Sequence, residues 1–597
     1  MCRIAGIIAK NRQADTLYPS VKAMCDAQMT GGPDDEGVYY NRELGICLGN
    51  RRLSLLDLSS AGHQPMSAAD EKVWITYNGE VYNFQEIRKE LEFLGHFFRS
   101  GTDTEVILKS YLQWGVESFA KFNGMFAFAL ADLNLNKIFL VRDSVGIKPL
   151  YYGIDNQNLY FNSEVKAFKY SGVSWTENPD WQLLLLAFGH IPEPYTTLAN
   201  VFELPKGSYL TWCLAGQTFD IKKYRSFKFS QNLINSREEA KELIRENLHA
   251  AVKRHLISDA PSGVFLSGGI DSSILSLLAA KGGNKINTLS LIFNDENLSE
   301  TKYQNLIAKA IDSNHAYELI SEDYFHLNLG KVVDAYDMPG SDGINLWFVS
   351  KFAKDSGIKA VQSGVGGDEL FGGYPSFLRA AKVLNLNKVP APLLSLAKYL
   401  PDDRMKRLEW MKLDSGIALY LTLRGIFNIS DIAVILGLST KEVSDKMSSF
   451  RFEPYLTNLQ PDTAAHNIEF NLYMQNQLLK DSDYMSMKHG VELRVPFLDQ
   501  EFLEAVFRIN PKLLFSPEGL PKQLLIDSFK HILPEPIWNR SRMGFSFPLQ
   551  RWLSNSEPVK QGLAKESVGR KMFAEFKNGK LHWSKIWVYF LSKSFKA

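Results

Sequence analysis

A cysteine at position two is the first residue that could do chemistry. If Met1 is removed, Cys2 carries a thiol and a free α-amino group on one carbon. Such an amine titrates near pH ~7.7–8.0, so part of it is neutral near pH 7 and can take the thiol's proton. Nucleophile and base on one N-terminal residue is a workable route to covalent catalysis. The bland alternative is a small hydrophobe in a buried strand, since MCRIAGII continues as an apolar run.

The stretch GVFLSGGIDSSILSLLAA offers a second kind of chemistry. An apolar strand (Val264, Phe265, Leu266) runs into Ser267-Gly268-Gly269, and Asp271-Ser272-Ser273 opens a helix. The glycines allow close backbone approach, and the free N–H groups of a helix start favour an anion. These residues form a phosphate cradle. It has no lysine of the Walker A type, which argues against a γ-phosphate kinase or a GTPase. A second acidic loop, QSGVGGDELFGGY, also follows an apolar strand. Ligands of open α/β sheets bind where strand ends meet, so Asp271 and Asp368 are expected near one another. Two carboxylates beside phosphates suit Mg²⁺.

These residues need elements to hold them. Residues 1 to about 165 read as short strands broken by Asn, Asp or Gly, such as KVWITYNGE and GMFAFALADLNLNKIFLVRD. Helices are predicted at FQEIRKELEFLG and DTEVILKSYLQWG from their three- and four-residue apolar steps. The mixture predicts a layered α+β domain over 2–190. Proline and turn residues in IPEPYTTL and ELPKGSYL predict a connector over 191–235. Ser236 and Glu239 form a capping box for a strong helix. Its apolar stripe is Leu243, Ile244, Leu248, Ala251, Val252 and Leu256. Strands then alternate with helices, predicting a parallel α/β sheet in 236–597 with a mainly helical C-terminal part.

Composition narrows the class. The chain has 597 residues, too many for one core, and a net charge of +1, which gives no basis for nucleic-acid or anionic-membrane binding. Four scattered cysteines fit neither a disulfide framework nor a metal cluster, and predict a reducing, cytoplasmic setting. No signal peptide or membrane-length apolar run is evident.

With both ends in view, the chain resembles the glutamine-hydrolysing asparagine synthetases over nearly its whole length. The resemblance implies an N-terminal-nucleophile (αββα) glutaminase domain joined to an ATP-pyrophosphatase domain. It implies that Cys2 is the glutaminase nucleophile and that Arg52, in RRLSLLD, pairs with the α-carboxylate of glutamine. Asn78 and Gly79, in YNGEVYN, would donate to the oxyanion, and Glu80 with Asp103, in SGTDTE, would hold the substrate ammonium. In the second domain Ser267, Gly268, Gly269, Asp271 and Ser272 match the pyrophosphate loop. Phe265, Leu291, Ser363 and Gly364 fall where nucleotide contacts are expected. Asp271 and Asp368 match Mg²⁺ ligands, and Lys522, in GLPKQLLIDSF, matches a lysine that stabilises the adenylate. Lys480, Asp483, Glu492 and Arg494 lie in a further matching segment, and RSRMGFSFPLQRW completes the C-terminal match. The implied substrates are glutamine, ATP with Mg²⁺, and a carboxylate. A homodimer is left open.

Two positions depart from the family pattern. TGGPD replaces HRGPD, so Gly31 stands where an interface arginine is expected, which weakens the expected coupling between sites. SGVG replaces SG[DE]G, so Val365 stands where a carboxylate could take a proton or bind the acceptor. Three readings follow: asparagine formation from aspartate; amidation of another carboxylate, such as a uronic acid of a surface polysaccharide or a small natural product; and a non-catalytic relative that binds nucleotide or glutamine.

Overall fold

The alternating and continuous apolar runs of the first 223 residues become two six-stranded antiparallel sheets. The first sheet runs Val201–Glu203, Tyr151–Asp155, Asn158–Asn162, Cys2–Ile8, Ile46–Arg52, Asp35–Asn41. The second runs Thr218–Lys223, Ser208–Cys213, Lys137–Arg142, Gly124–Asp132, Val73–Val81, Met66–Ser67. This computed structural model describes residues 2–9, 14–68, 71–283, 285–295, 299–413, 416–452, 460–516, 519–541 and 547–596.

Strand period places alternate residues on opposite faces. Ile4, Ile8, Leu48, Ala129, Leu140 and Phe161 close the space between the sheets. Helices Phe84–Phe93 and Asp103–Trp114 sit where predicted and cover the outer face of the second sheet through Ile87, Leu91, Val106 and Ile107. Helix Ala14–Asp26 covers the first sheet through Leu17, Val21 and Met24. The result is the αββα sandwich of an N-terminal-nucleophile domain.

The segment 191–235 differs from the predicted connector. Val201–Glu203 joins the first sheet, and the hairpin Ser208–Cys213 with Thr218–Lys223 extends the second. Its prolines and turn residues punctuate short strands. Only 224–235 links the sheets to the helix Arg237–Arg254. Ser236 caps that helix by accepting from Glu239 N–H at 3.4 Å, half of the predicted box. A reciprocal box forms at Ser439 and Glu442, which sequence reading passed over.

The second half holds a five-stranded parallel sheet in the order Asn314–Leu319, Asn287–Ile292, Ser262–Phe265, Ala360–Gln362, Glu492–Arg494. Helices fill the chain between Ala360–Gln362 and Glu492–Arg494, with π-helical backbone over Glu469–Leu479, and again from Gln500 to Ser594. Among the described residues no single helix is long and apolar enough to cross a membrane; a pair bent by 81°, Gly416–Arg424 with Ile429–Leu436, meets the criterion only together.

Candidate active site

Two sites lie in one chain. Cys2 opens a central strand and pairs with Arg52 across the ladder. Its backbone N–H donates to Asn78 Oδ1 at 3.1 Å. Asn78 is fully buried and its Nδ2 finds no partner among the described residues, so the amide that holds the Cys2 backbone keeps a donor unused. Gly79 follows at φ 151°, where a Cβ would meet Met125 O at 2.1 Å, so the position demands glycine. Burial pushes the Cys2 thiol up, and the Arg52 guanidinium works against it. A buried thiol of this kind needs a base.

Arg52 is fixed by three carbonyls. Its Nη2 donates to Leu56 O at 3.0 Å and Asp57 O at 2.7 Å, and its Nη1 to Ser59 O at 3.2 Å. A Cβ on Gly62 would fall 1.9 Å from Nη2. Asp103 accepts from Tyr77 Oη at 2.7 Å and Val81 N–H at 2.9 Å. Burial pushes both Glu80 and Asp103 up, and Glu492 raises each further. The nearest cation to Glu80 is Arg494, whose Nη2 stands 3.6 Å from Oε1. Cys2, Arg52, Gly79, Glu80 and Asp103 line one small pocket. Four of the five expected partners of Cys2 therefore share its pocket, and the fifth, Asn78, holds its backbone N–H.

In the second site, Ser267 N–H and Oγ meet Ser272 Oγ at 3.2 and 3.0 Å, and Gly269 N–H donates to Ser267 Oγ at 3.3 Å. Gly268 turns the loop at φ 83°, and Arg540 Nη2 donates to its carbonyl at 3.0 Å. The helix Ile270–Ala279 starts directly behind. Phe265, Leu291, Ser363 and Gly364 line a cavity of about 240 Å³ together with Val365 and Leu478. A wider cavity shares Ser267, Gly269 and Asp271 and adds Asp368 and Lys522. The loops after separate strands thus meet as predicted.

Lys522 stands between the two acidic residues. Its Nζ pairs with Asp271 and lies 2.7 Å from Asp368 Oδ1. It is buried and its backbone is left-handed at φ 63°, strain that a non-glycine residue carries only where the surroundings impose it. Gly364, Gly367 and Gly373 are packed so closely that a Cβ would fall 2.8 Å from Asp271 Cβ, 2.6 Å from Asp271 Oδ1 and 1.7 Å from Asp368 Oδ1. Among the described residues no group of three or more His, Cys, Asp or Glu is arranged to hold a metal. Two hard carboxylate donors with an ammonium seated between them still fit a divalent cation that takes its other ligands from phosphate and water.

The remaining matched residues lie between the sites. Lys480 pairs with Glu203 at 2.5 Å and donates to Ile191 O, away from both cavities around the Ser267–Ser272 loop. Asp483 pairs with Arg3, and Glu492 with Arg494 at 2.5 Å. Arg3 was not singled out by sequence reading; its partner is 480 positions away. Of the segment from Arg540 to Trp552, residues 542–546 lie outside the described residues, as does Met1.

Residues 1–225 match the glutamine amidotransferase domain family and residues 243–575 match asparagine synthase. Asparagine synthetase [glutamine-hydrolyzing] 1 of Bacillus subtilis is 32% identical over 570 residues, 93% of this chain and 88% of that protein. Asparagine synthetase [glutamine-hydrolyzing] 3 of the same organism is 28% identical over 564 residues, 91% of this chain and 86% of that protein.

Proposed function

Since the chain belongs to the glutamine-hydrolysing asparagine synthetase family, we propose that it amidates aspartate to asparagine with ammonia drawn from glutamine. One observation carries this reading: Cys2 shares one pocket with Arg52, Gly79, Glu80 and Asp103 and donates its backbone N–H to Asn78, in a chain that also closes a glycine-rich loop beside Asp271, Asp368 and Lys522.

In this reading removal of Met1 exposes the α-amine of Cys2, which Asn78 Oδ1 holds in place. The amine takes the thiol proton as Sγ attacks the side-chain amide carbon of glutamine. Asn78 Nδ2 and Gly79 N–H donate to the oxyanion. The C–N bond breaks, ammonia leaves, and water hydrolyses the thioester to glutamate. Arg52 pairs with the substrate α-carboxylate, and Glu80 with Asp103 holds its ammonium. At the second site an oxygen of the acceptor carboxylate attacks the α-phosphorus of ATP, and pyrophosphate leaves. Ser267, Gly269 and Ser272 hold phosphate oxygens, Phe265, Leu291, Ser363 and Gly364 contact the nucleotide, and Lys522 neutralises developing charge. Asp271 and Asp368 would hold Mg²⁺, which when bound neutralises phosphate charge. Ammonia then attacks the acyl carbon and AMP departs.

Val365 favours a second reading of the acceptor. It lines the nucleotide cavity and cannot bind an ammonium or take a proton, which supports another carboxylate, such as a uronic acid. Mass spectrometry of enzyme with glutamine, ATP, Mg²⁺ and aspartate separates the two. Asparagine with AMP and pyrophosphate establishes aspartate. Glutamate without asparagine sinks that acceptor, and uronic acids are screened next for pyrophosphate release. The four free cysteines support a cytoplasmic enzyme, and light scattering tests a homodimer. The three strands within 201–223 support a glutaminase unit that runs past Lys223 in this reading.

A further inference from the structure

We infer that Arg3 is a positioning residue that couples the Cys2 thiol to the nucleotide half of the molecule, and that Gly31 makes room for it. The inference rests on the glutaminase reading of Cys2. Arg3 follows Cys2 in one strand, so the two side chains leave opposite faces of the sheet. Cys2 faces the glutamine pocket. Arg3, 1% exposed, faces the interface with the second half.

The contacts of Arg3 are ionic on both sides. Its Nη1 lies 2.7 Å from Asp483 Oδ2 and its Nε 2.9 Å from Glu164 Oε1. Burial opposes the guanidinium charge, but Asp483, Glu164 and Asp337 outweigh it. A Cβ at Gly31 would fall 2.8 Å from both Cγ and Nε of Arg3, so no side chain fits there while Arg3 holds this position. Reading the sequence, Gly31 looked like the loss of an interface guanidinium. The structure supplies one from the nucleophile's own strand.

Asp483 leads onward. It belongs to the helix Lys480–Met487, which continues directly from the π-helical stretch Glu469–Leu479. Leu478, near the end of that stretch, lines the nucleotide cavity. The same helix touches the first half again through Lys148 Nζ, 3.4 Å from Asp483 Oδ1, and through the Tyr151 and Tyr484 hydroxyls at 2.8 Å. π-Helical backbone is rare and concentrates at functional sites. The route from the cavity to Cys2 therefore follows the continuous helix from Leu478 to Asp483, crosses the ion pair to Arg3 and ends at the next residue of the strand.

The test needs no acceptor. The rate at which 6-diazo-5-oxo-L-norleucine, an electrophilic glutamine analogue, alkylates Cys2 is followed by intact-protein mass spectrometry with and without Mg²⁺-ATP. In the wild-type enzyme Mg²⁺-ATP is expected to change that rate about threefold or more, within the usual range of coupling between sites. In the double variant Arg3→Met with Asp483→Asn, which removes both charges of the buried pair, keeps an amide oxygen for Lys148 and leaves Glu164 partly open to solvent, the response is lost while the basal rate stays within about twofold. Arg3→Lys keeps the charge but not the fork that reaches two carboxylates, so it folds and shows a weakened response. A full wild-type response in either variant overturns the inference, as does a wild-type enzyme indifferent to Mg²⁺-ATP. If the wild-type Cys2 is not alkylated at all, the glutaminase reading itself falls.

Discussion

Each half of the molecule holds a pair of acidic side chains, and the two pairs are treated in opposite ways. Glu80 and Asp103 are buried at 5% and 4% exposure, and desolvation pushes both up. Asp271 and Asp368 are more open, with side chains 16% and 29% exposed, and Lys522 seats its ammonium between them. The first pair stores a demand for positive charge that an arriving substrate ammonium would meet. The second has that demand met by the protein's own Lys522. Residue type is shared; burial and a neighbouring cation decide who holds the charge.

The sharpest way to break this comparison is to remove one site's reactive group. Cys2→Ala is expected to cut glutamine-dependent amidation by about 10³-fold or more, while ammonium chloride still drives the synthetase reaction. Loss of both in a folded variant would falsify the division of labour. Lys522→Met tests the other side. Pyrophosphate release should fall by about 10²–10³-fold, with glutamate release within about threefold of wild type. Asn78→Ala removes the unpartnered donor, and glutaminase kcat should fall about 10²-fold with little change in KM; a pure KM effect would point to ground-state binding instead.

Proton counting sharpens the contrast. If Glu80, which burial pushes furthest up, is ionised by the incoming ammonium, binding of a glutamine analogue to Cys2→Ala should release up to about one proton. Calorimetry in buffers of different ionisation enthalpy reads this directly, and a buffer-independent enthalpy contradicts it. The smallest effect concerns the interface. Asp337 accepts from Val165 and Lys166 N–H at 2.7 and 2.8 Å, and burial with Glu164 nearby pushes it up to about 7. The native state then holds its proton more tightly than the unfolded chain. Its contribution is fully present below pH ~4 and is lost as pH rises through about 7. Thermal melts should lose on the order of 2–4 kcal/mol across that window, and Asp337→Asn should flatten the slope.

Much of this was legible without coordinates because it is local. Cys2 is read from its position, the cradle from Ser267 to Ser272 from glycines beside a helix start, and the helices at Phe84–Phe93 and Asp103–Trp114 from apolar period. Lys522 was reached only through the family resemblance, since a lysine in GLPKQLL has no local mark of its role. The strands between Val201 and Lys223 were missed because prolines and turn residues also punctuate short strands, whose pairing is long-range.

Residue types and their local order mark the available chemistries: a thiol that can become N-terminal, a glycine-rich loop at a helix start, and carboxylates at two places. Which charges meet is settled by packing. Arg3 and Asp483 are 480 residues apart and Lys522 is 251 from Asp271, and no local pattern encodes such pairs. Their partners are chosen by which strand faces which helix, and whether each buried charge stays charged depends on the cation or carboxylate that packing places beside it.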